Sequence, residues 1–177
     1  MMQLLIAALL LILTTRVVGA EVPTPTEHLG YRPGADNHLA EFATVVDYFR
    51  KVDAASDRVV VRELGLSTEG KPFIAAIVGD AKTIADLPTY QTYQRKIADP
   101  RLFVDKAERD AVLAASKPVV LITCMIHSTE TASTFTAIEL LYEMATSESP
   151  AIKEIREHAI LILVPAVNPD GVTKVAQ

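Results

Sequence analysis

Cysteine is almost absent from the sequence, which has 177 residues and a single cysteine, Cys124. One cysteine cannot form a disulfide within the chain, so the small secreted scaffolds that depend on disulfides are excluded. Cys124 lies within an apolar run, where its expected role is that of a small buried hydrophobic side chain. Basic residues are also scarce, with 17 Lys and Arg against 22 Asp and Glu. This balance argues against a nucleic-acid partner, which would require a basic surface.

The first twenty residues predict a secretory signal peptide that is cleaved after Ala20. An apolar stretch at residues 4–13 is followed by Val18, Gly19 and Ala20, which form the small-residue pattern of a cleavage site. The stretch is shorter than the ~20 apolar residues that span a bilayer. No Lys or Arg precedes it, and an uncleaved membrane anchor is the alternative. We therefore expect an exported protein, periplasmic or extracellular, without stable membrane association after cleavage.

The rest of the chain is long and hydrophobic enough for one domain with its own core. Residues 21–37 are rich in Pro and Gly, which predicts an extended lead-in. Apolar residues then recur at helical spacing, and Asp36 or Asn37 is expected to cap this helix. The helix would place His38 and Glu41, an H-x-x-E pair, in its first turn, where a glutamate complements the helix dipole. This pair therefore has a structural explanation without a metal.

Apolar runs and turn signals elsewhere predict an alternation of strands and helices. The predicted strands are 58–64, 72–78, 118–126 and 159–167, and the predicted helices are 83–98, 102–115, 131–147 and 151–158. The last two strands are continuously apolar, which is typical of strands covered on both faces. Strand, helix and strand in succession predict a βαβ unit in a sheet with helices on both faces. Strands 58–64 and 72–78 are joined by a Gly-containing loop of hairpin type, which makes the sheet mixed. The predicted fold is a three-layer α/β/α sandwich around a mixed, mostly parallel sheet.

A second H-x-x-E pair, His127 and Glu130, has surroundings that favour a metal site. His127 follows the predicted strand 118–126, and sites in open α/β sheets form outside the carboxyl ends of strands. The end of the next strand, at NPDG (168–171), should lie nearby. Imidazole nitrogen and carboxylate oxygen are both zinc ligands, although a catalytic zinc has three protein ligands. A hydrogen-bonded structural histidine at a strand end is the alternative interpretation.

Three stretches together resemble the M14 family of zinc carboxypeptidases, the carboxypeptidase A-like family, and they occur in the family's order. GLSTEGKPF at residues 65–73 resembles its strand–turn–strand stretch. IHSTE at residues 126–130 resembles its zinc motif, and LVPAVNPDGV at residues 163–172 resembles its apolar strand that runs into NPDG. The resemblance covers roughly residues 25–177. The lead-in is similar to that of a bacterial, signal-bearing branch of the family.

The resemblance implies a Zn²⁺ cofactor held by His127 and Glu130 and a peptide or protein substrate hydrolysed near its carboxyl terminus. Zinc would polarise the scissile carbonyl, a Glu would act as general base, and Arg residues would bind the substrate carboxylate. In the family the third ligand, a His, and these Glu and Arg residues all follow NPDG. Nothing in this sequence matches those roles, so we assign no catalytic or substrate-binding residue. His28 and His158 are poor candidates for the third ligand.

We therefore predict that residues 38–177 form the amino-terminal part of an exported zinc metallocarboxypeptidase. We expect its sheet to be incomplete and the 177-residue chain to be inactive alone. A zinc amidohydrolase or a cell-wall peptide hydrolase of the same fold is one alternative. A non-catalytic, truncated pseudopeptidase that acts as a binding module is another.

Overall fold

A computed structural model of the chain describes residues 21–177. The predicted signal peptide, residues 1–20, lies outside the described residues. The strands are β1 (Val59–Leu66), β2 (Pro72–Val78), β3 (Val119–Thr123) and β4 (Ile160–Val164). The helices are α1 (Pro25–Leu29), α2 (Phe42–Ala55), α3 (Ala81–Ala85), α4 (Leu87–Ala98), α5 (Lys106–Ala115), α6 (Thr131–Thr146), α7 (Pro150–His158) and α8 (Pro169–Ala176), with a 3₁₀ turn at Pro100–Leu102. Within residues 21–177 no helix has the length and apolarity to cross a membrane.

The four strands form one mixed sheet in the order β1-β2-β4-β3. β1 pairs with β2 and β2 pairs with β4 in antiparallel fashion, whereas β3 and β4 run parallel, with Val119 opposite Ile160 and Thr123 opposite Val164. The predicted α/β class and mixed sheet are confirmed. Of the three pairings within the described residues, only the β3–β4 pairing is parallel. This pairing brings the carboxyl ends of β3 and β4 to the same edge of the sheet.

Helices α2 and α6 cover one face of the sheet and form the main core with it. Alternate strand residues such as Ala76, Val78 and Leu163 belong to this core because successive residues of a strand face opposite sides. The two helices contribute large buried side chains, which include Phe42, Val45, Tyr48, Phe49, Ile138 and Leu141. Helix α4 lies over the opposite face, where Leu87 and Tyr90 flank a cleft with Ile77 and Ile162 of the sheet.

The amino-terminal segment differs from the prediction in two respects. The lead-in contains helix α1, whose capping box joins the side chain of Thr24 to the backbone of Glu27 and the side chain of Glu27 to the backbone of Thr24. His38 and Glu41 do not form a first helical turn, because α2 begins only at Phe42 with Glu41 as its N-cap. The preceding backbone turns instead, with Asn37 in the left-handed region at φ 60°.

Four further elements also depart from the sequence prediction. The predicted helix 83–98 is broken at Asp86 into α3 and α4. Helix α5 begins at Lys106, four residues later than predicted, with Asp105 as its N-cap. The predicted turn at residues 168–171 is the first turn of α8, because the side chain of Asn168 accepts the N–H of Gly171. β3 is not covered on both faces. It lies at an edge of the described sheet and its side chains are largely exposed.

Candidate metal centre

The chain turns sharply between β3 and α6, in a segment that we call the His127 loop (residues 125–130). Met125 adopts the left-handed conformation at φ 52° although it is not glycine, which is a conformation that the surrounding structure must stabilise. The hydroxyl of Ser133 accepts the N–H of Met125 at 2.9 Å and donates to the carbonyl of Glu130 at 2.8 Å. Both ends of the loop are therefore joined to the first turn of α6.

His127 and Glu130 approach each other within this loop. Nδ1 of His127 lies 2.9 Å from Oε1 of Glu130, and the N–H of His127 donates to Oε2 of Glu130 at 3.3 Å. The N–H of Glu130 in turn donates to the carbonyl of His127 at 3.0 Å. The side chains remain accessible, with 73% of His127 and 50% of Glu130 exposed to solvent. The predicted pair thus lies together at the surface, beyond the carboxyl end of β3.

The charge of Glu130 is stabilised by the same contacts. The side-chain hydrogen bond from His127 lowers the pKa of the Glu130 carboxyl, and the backbone N–H of His127 lowers it further. Glu130 is therefore ionised at neutral pH, which is the form that binds a cation.

The other H-x-x-E pair provides a control within the chain. Nδ1 of His38 lies 2.8 Å from the carbonyl of Asp36, and its ring stacks on Tyr31 with centroids 4.5 Å apart. Within the described residues, His38 and Glu41 form no ion pair comparable to that of His127 and Glu130. The two pairs have the same spacing in sequence, but only His127 and Glu130 of these two pairs converge in the described structure.

The end of β4 lies beside the His127 loop, as predicted. The N–H of Val167 donates to the carbonyl of Cys124 at 2.9 Å, and the N–H of Asn168 donates to the carbonyl of Met125 at 3.1 Å. The side-chain amide of Asn168 donates to the carbonyl of Ile126 at 3.3 Å. A side chain at Gly171 would lie 2.8 Å from Cβ of Ser128, so only glycine allows α8 to begin so close to the loop.

The loop between β1 and β2 joins the same assembly. Ser67 donates from its hydroxyl to Oδ1 of Asp170 at 2.5 Å, and the N–H of Glu69 donates to Oδ2 of Asp170 at 3.3 Å. Lys174 of α8 forms an ion pair with Glu69. Sequence reasoning missed the supporting roles of Ser67, Ser133 and Asn168. An Asn followed by Pro is the signature of a helix N-cap and was the available signal for Asn168.

The comparison with protein families identifies this arrangement. The sequence pattern of the M14 peptidases, described as zinc carboxypeptidases, matches residues 45–177. This range includes all four strands of the described sheet, the His127 loop and α8. The chain belongs to the zinc carboxypeptidase family. No curated protein shows a significant sequence match to it.

Two solved structures share the fold of this member of the family. It matches thrombin-activatable fibrinolysis inhibitor with a TM-score of 0.59 at 12% identity, over 89% of this chain and 30% of that protein. It matches carboxypeptidase A from Helicoverpa armigera with a TM-score of 0.56 at 15% identity, over 85% of this chain and 32% of that protein. The chain therefore spans about a third of the length of these structures.

The residues of the His127 loop fit the zinc ion that the family implies. Two ligand atoms of a tetrahedral zinc, each ~2.0–2.2 Å from the metal, lie about 3.4 Å apart. Nδ1 of His127 and Oε1 of Glu130 are 2.9 Å apart, so a small rotation of two exposed side chains would make room for the ion. No group of three His, Cys, Asp or Glu side chains suited to a metal occurs within residues 21–177. The described residues therefore offer two ligands, both in the His127 loop.

Proposed function

We propose that the chain is part of an exported zinc metallocarboxypeptidase in which His127 and Glu130 hold the zinc ion. The convergence of these two side chains, 2.9 Å apart beyond the end of β3, carries the proposal. Family membership supports hydrolysis of peptide bonds, with a peptide or protein substrate cleaved near its carboxyl terminus. The export of the protein rests on the sequence pattern of residues 1–20.

The described residues would contribute binding and orientation to this reaction. Bound zinc would polarise the scissile carbonyl and lower the pKa of a water molecule. Glu130 would supply a negative charge that offsets part of the charge of the ion, and His127 would supply an imidazole nitrogen as ligand. The exposure of both side chains leaves the open side of the centre accessible to a peptide. The Ser133 hydroxyl keeps both ends of the loop in place.

Two ligands give a weaker site than the three of a catalytic zinc centre. We therefore expect the purified 177-residue chain to bind zinc weakly and to release no carboxyl-terminal residues from peptides. Chelator-sensitive peptide cleavage by the pure chain would contradict this expectation. Substrate profiling of the protein from its natural source would separate a carboxypeptidase from an amidohydrolase that acts on acylated amino acids.

Zinc titration of variants tests the ligand assignment directly. The changes H127A and E130A should each weaken zinc binding at least about 10-fold, because loss of an outer partner of a ligand already costs ~10–100-fold. Affinity can be measured by competition with a chromogenic chelator. The matched controls are H38A and E41A, which remove the other H-x-x-E pair and should leave the affinity unchanged. Equal effects of both sets of variants would show that zinc binds without the His127 pair.

A further inference from the structure

We propose that Asn168 is a positioning residue for His127 and Glu130, because its side-chain amide holds the His127 loop against the first turn of α8. This inference rests on the proposed zinc site. It assigns to an asparagine 38 residues beyond Glu130 a role in fixing the geometry of the metal ligands.

Two opposed hydrogen bonds fix the orientation of the Asn168 amide. Its oxygen accepts the N–H of Gly171 at 2.9 Å, and its nitrogen donates to the carbonyl of Ile126 at 3.3 Å. A flipped amide would face a donor with a donor and an acceptor with an acceptor, so only one orientation satisfies both partners. The side chain therefore caps α8 and holds the loop at the same time.

The bond to Ile126 acts on the peptide unit that leads into His127. That unit follows Met125, whose left-handed backbone at φ 52° is unfavourable for a residue with a side chain. Ser133 holds the loop from the side of α6, and the backbone and side chain of Asn168 hold it from the side of β4 and α8. Ser133 is close in sequence, whereas Asn168 supplies a tertiary contact.

Fixing this peptide unit limits the positions that the His127 ring can adopt. Metal sites depend on groups that orient their ligands, and the loss of such a group typically lowers metal affinity ~10–100-fold. The close approach of Gly171 to Ser128 keeps α8 near enough for the amide to reach Ile126. The hydrogen bonds of the Asn168 side chain go to Ile126 and Gly171 and to neither ligand side chain, so we infer that its effect acts through the loop.

The change N168D separates the two roles of the side chain. Aspartate caps a helix as well as asparagine does, so α8 keeps its cap. The donor to Ile126 is replaced by a carboxylate oxygen, which repels the carbonyl. The added negative charge favours zinc, so any loss of affinity must come from the geometry of the loop. The matched control is N37D, which changes the only other asparagine of the chain.

We expect N168D to weaken zinc binding about 10-fold and to speed amide hydrogen exchange at residues 125–130, with α8 still protected. N37D should match the parent in both measurements. Unchanged exchange at residues 125–130 in N168D, or parental zinc affinity in N168D where H127A loses it, would overturn the inference. If H127A also binds zinc like the parent, the zinc site itself is wrong, and the exchange measurement alone decides the role of Asn168. N168S, a capping residue without an amide, replaces N168D if that variant does not fold.

Discussion

At the scale of single residues, Gly171 marks the closest approach between α8 and the His127 loop. A Cβ atom there would lie 2.6 Å from Nδ2 of Asn168 and 2.8 Å from Cβ of Ser128. These distances are shorter than real Cβ contacts, so a larger residue must displace the helix or the loop. The constraint is steric, because the backbone of Gly171 belongs to the first helical turn.

We expect G171A to destabilise the protein by about 1–3 kcal/mol, the usual cost of added atoms in a well-packed site. The measurement is the free energy of unfolding from urea titration of both proteins. The double variant S128G/G171A removes one of the two colliding partners and should recover part of the loss. If S128G gives no recovery, the contact with Ser128 is not a cause of the destabilisation.

At the scale of elements, buried and half-buried arginines join the end of α6 to its neighbours. Arg156 of α7 is only 3% exposed and donates to the carbonyls of Met144 and Ser147 at 3.0 and 2.7 Å. Arg58 donates to the carbonyl of Ala145 at 3.1 Å and to Glu148 at 2.6 Å. Carbonyls at the end of a helix lack intrahelical donors, and these guanidinium groups supply them.

Glu148 should make stability depend on pH in the acidic range. Hydrogen bonds from Lys153 and Arg58 lower the pKa of its carboxyl from 4.5 to about 2. Because the folded state lowers this pKa, the ionised carboxylate stabilises the protein above pH 4.5, and that contribution is lost as the pH falls towards 2. We expect E148Q to be less stable than the parent near neutral pH. As the pH falls from 4.5 to 2, the stability of the parent should fall towards that of E148Q. Urea midpoints measured across this range give the comparison.

The control for this pH dependence is E154Q, which removes the same charge from the neighbouring helix α7. The difference in urea midpoint between E154Q and the parent should vary less with pH than the difference between E148Q and the parent. The role assigned to Glu148 would be contradicted if the urea midpoints of E148Q and the parent differed by the same amount from pH 7 to pH 2.

At the scale of the whole molecule, the two edge strands of the described sheet differ in how well they are protected against pairing with a strand of another molecule. β1 carries Arg62 and Glu63 and is interrupted by an irregularity between Glu63 and Gly65. Charges and bulges discourage pairing with another strand. β3 has neither, and Val119, Val120 and Leu121 are 40%, 48% and 62% exposed. An apolar, regular edge of this kind favours association.

We therefore expect the purified 177-residue chain to self-associate as its concentration rises. The change L121K places a charge on this edge and should shift the average mass towards the monomer, as measured by light scattering after size-exclusion chromatography. L113K is the matched control, because Leu113 is 51% exposed but lies on helix α5. A monomeric parent at all concentrations, or equal effects of L121K and L113K, would contradict the prediction.

Much of the fold and of the candidate site could be predicted from the sequence. The strand at 72–78 has the predicted bounds, and helix α6 ends one residue earlier than predicted. His127 and Glu130 lie where the end of an apolar strand placed them. The first turns of α1 and α8 carry capping signatures, although the sequence prediction has an extended lead-in and a turn at these places. The prediction that β3 is buried on both faces was wrong, because apolar composition does not show whether a strand is central or at an edge.

Local periodicity and capping depend on neighbours along the chain, so the sequence by itself determined the succession of strands and helices and the place of the H-x-x-E pair. Which strands become neighbours depends on packing of the whole core, and only the tertiary structure decided that β4 lies between β2 and β3. That order brings Asn168 to Ile126 and Asp170 to Ser67, across 42 and 103 residues of sequence. These contacts follow from the shape of the assembled sheet, which brings together residues that are distant in sequence.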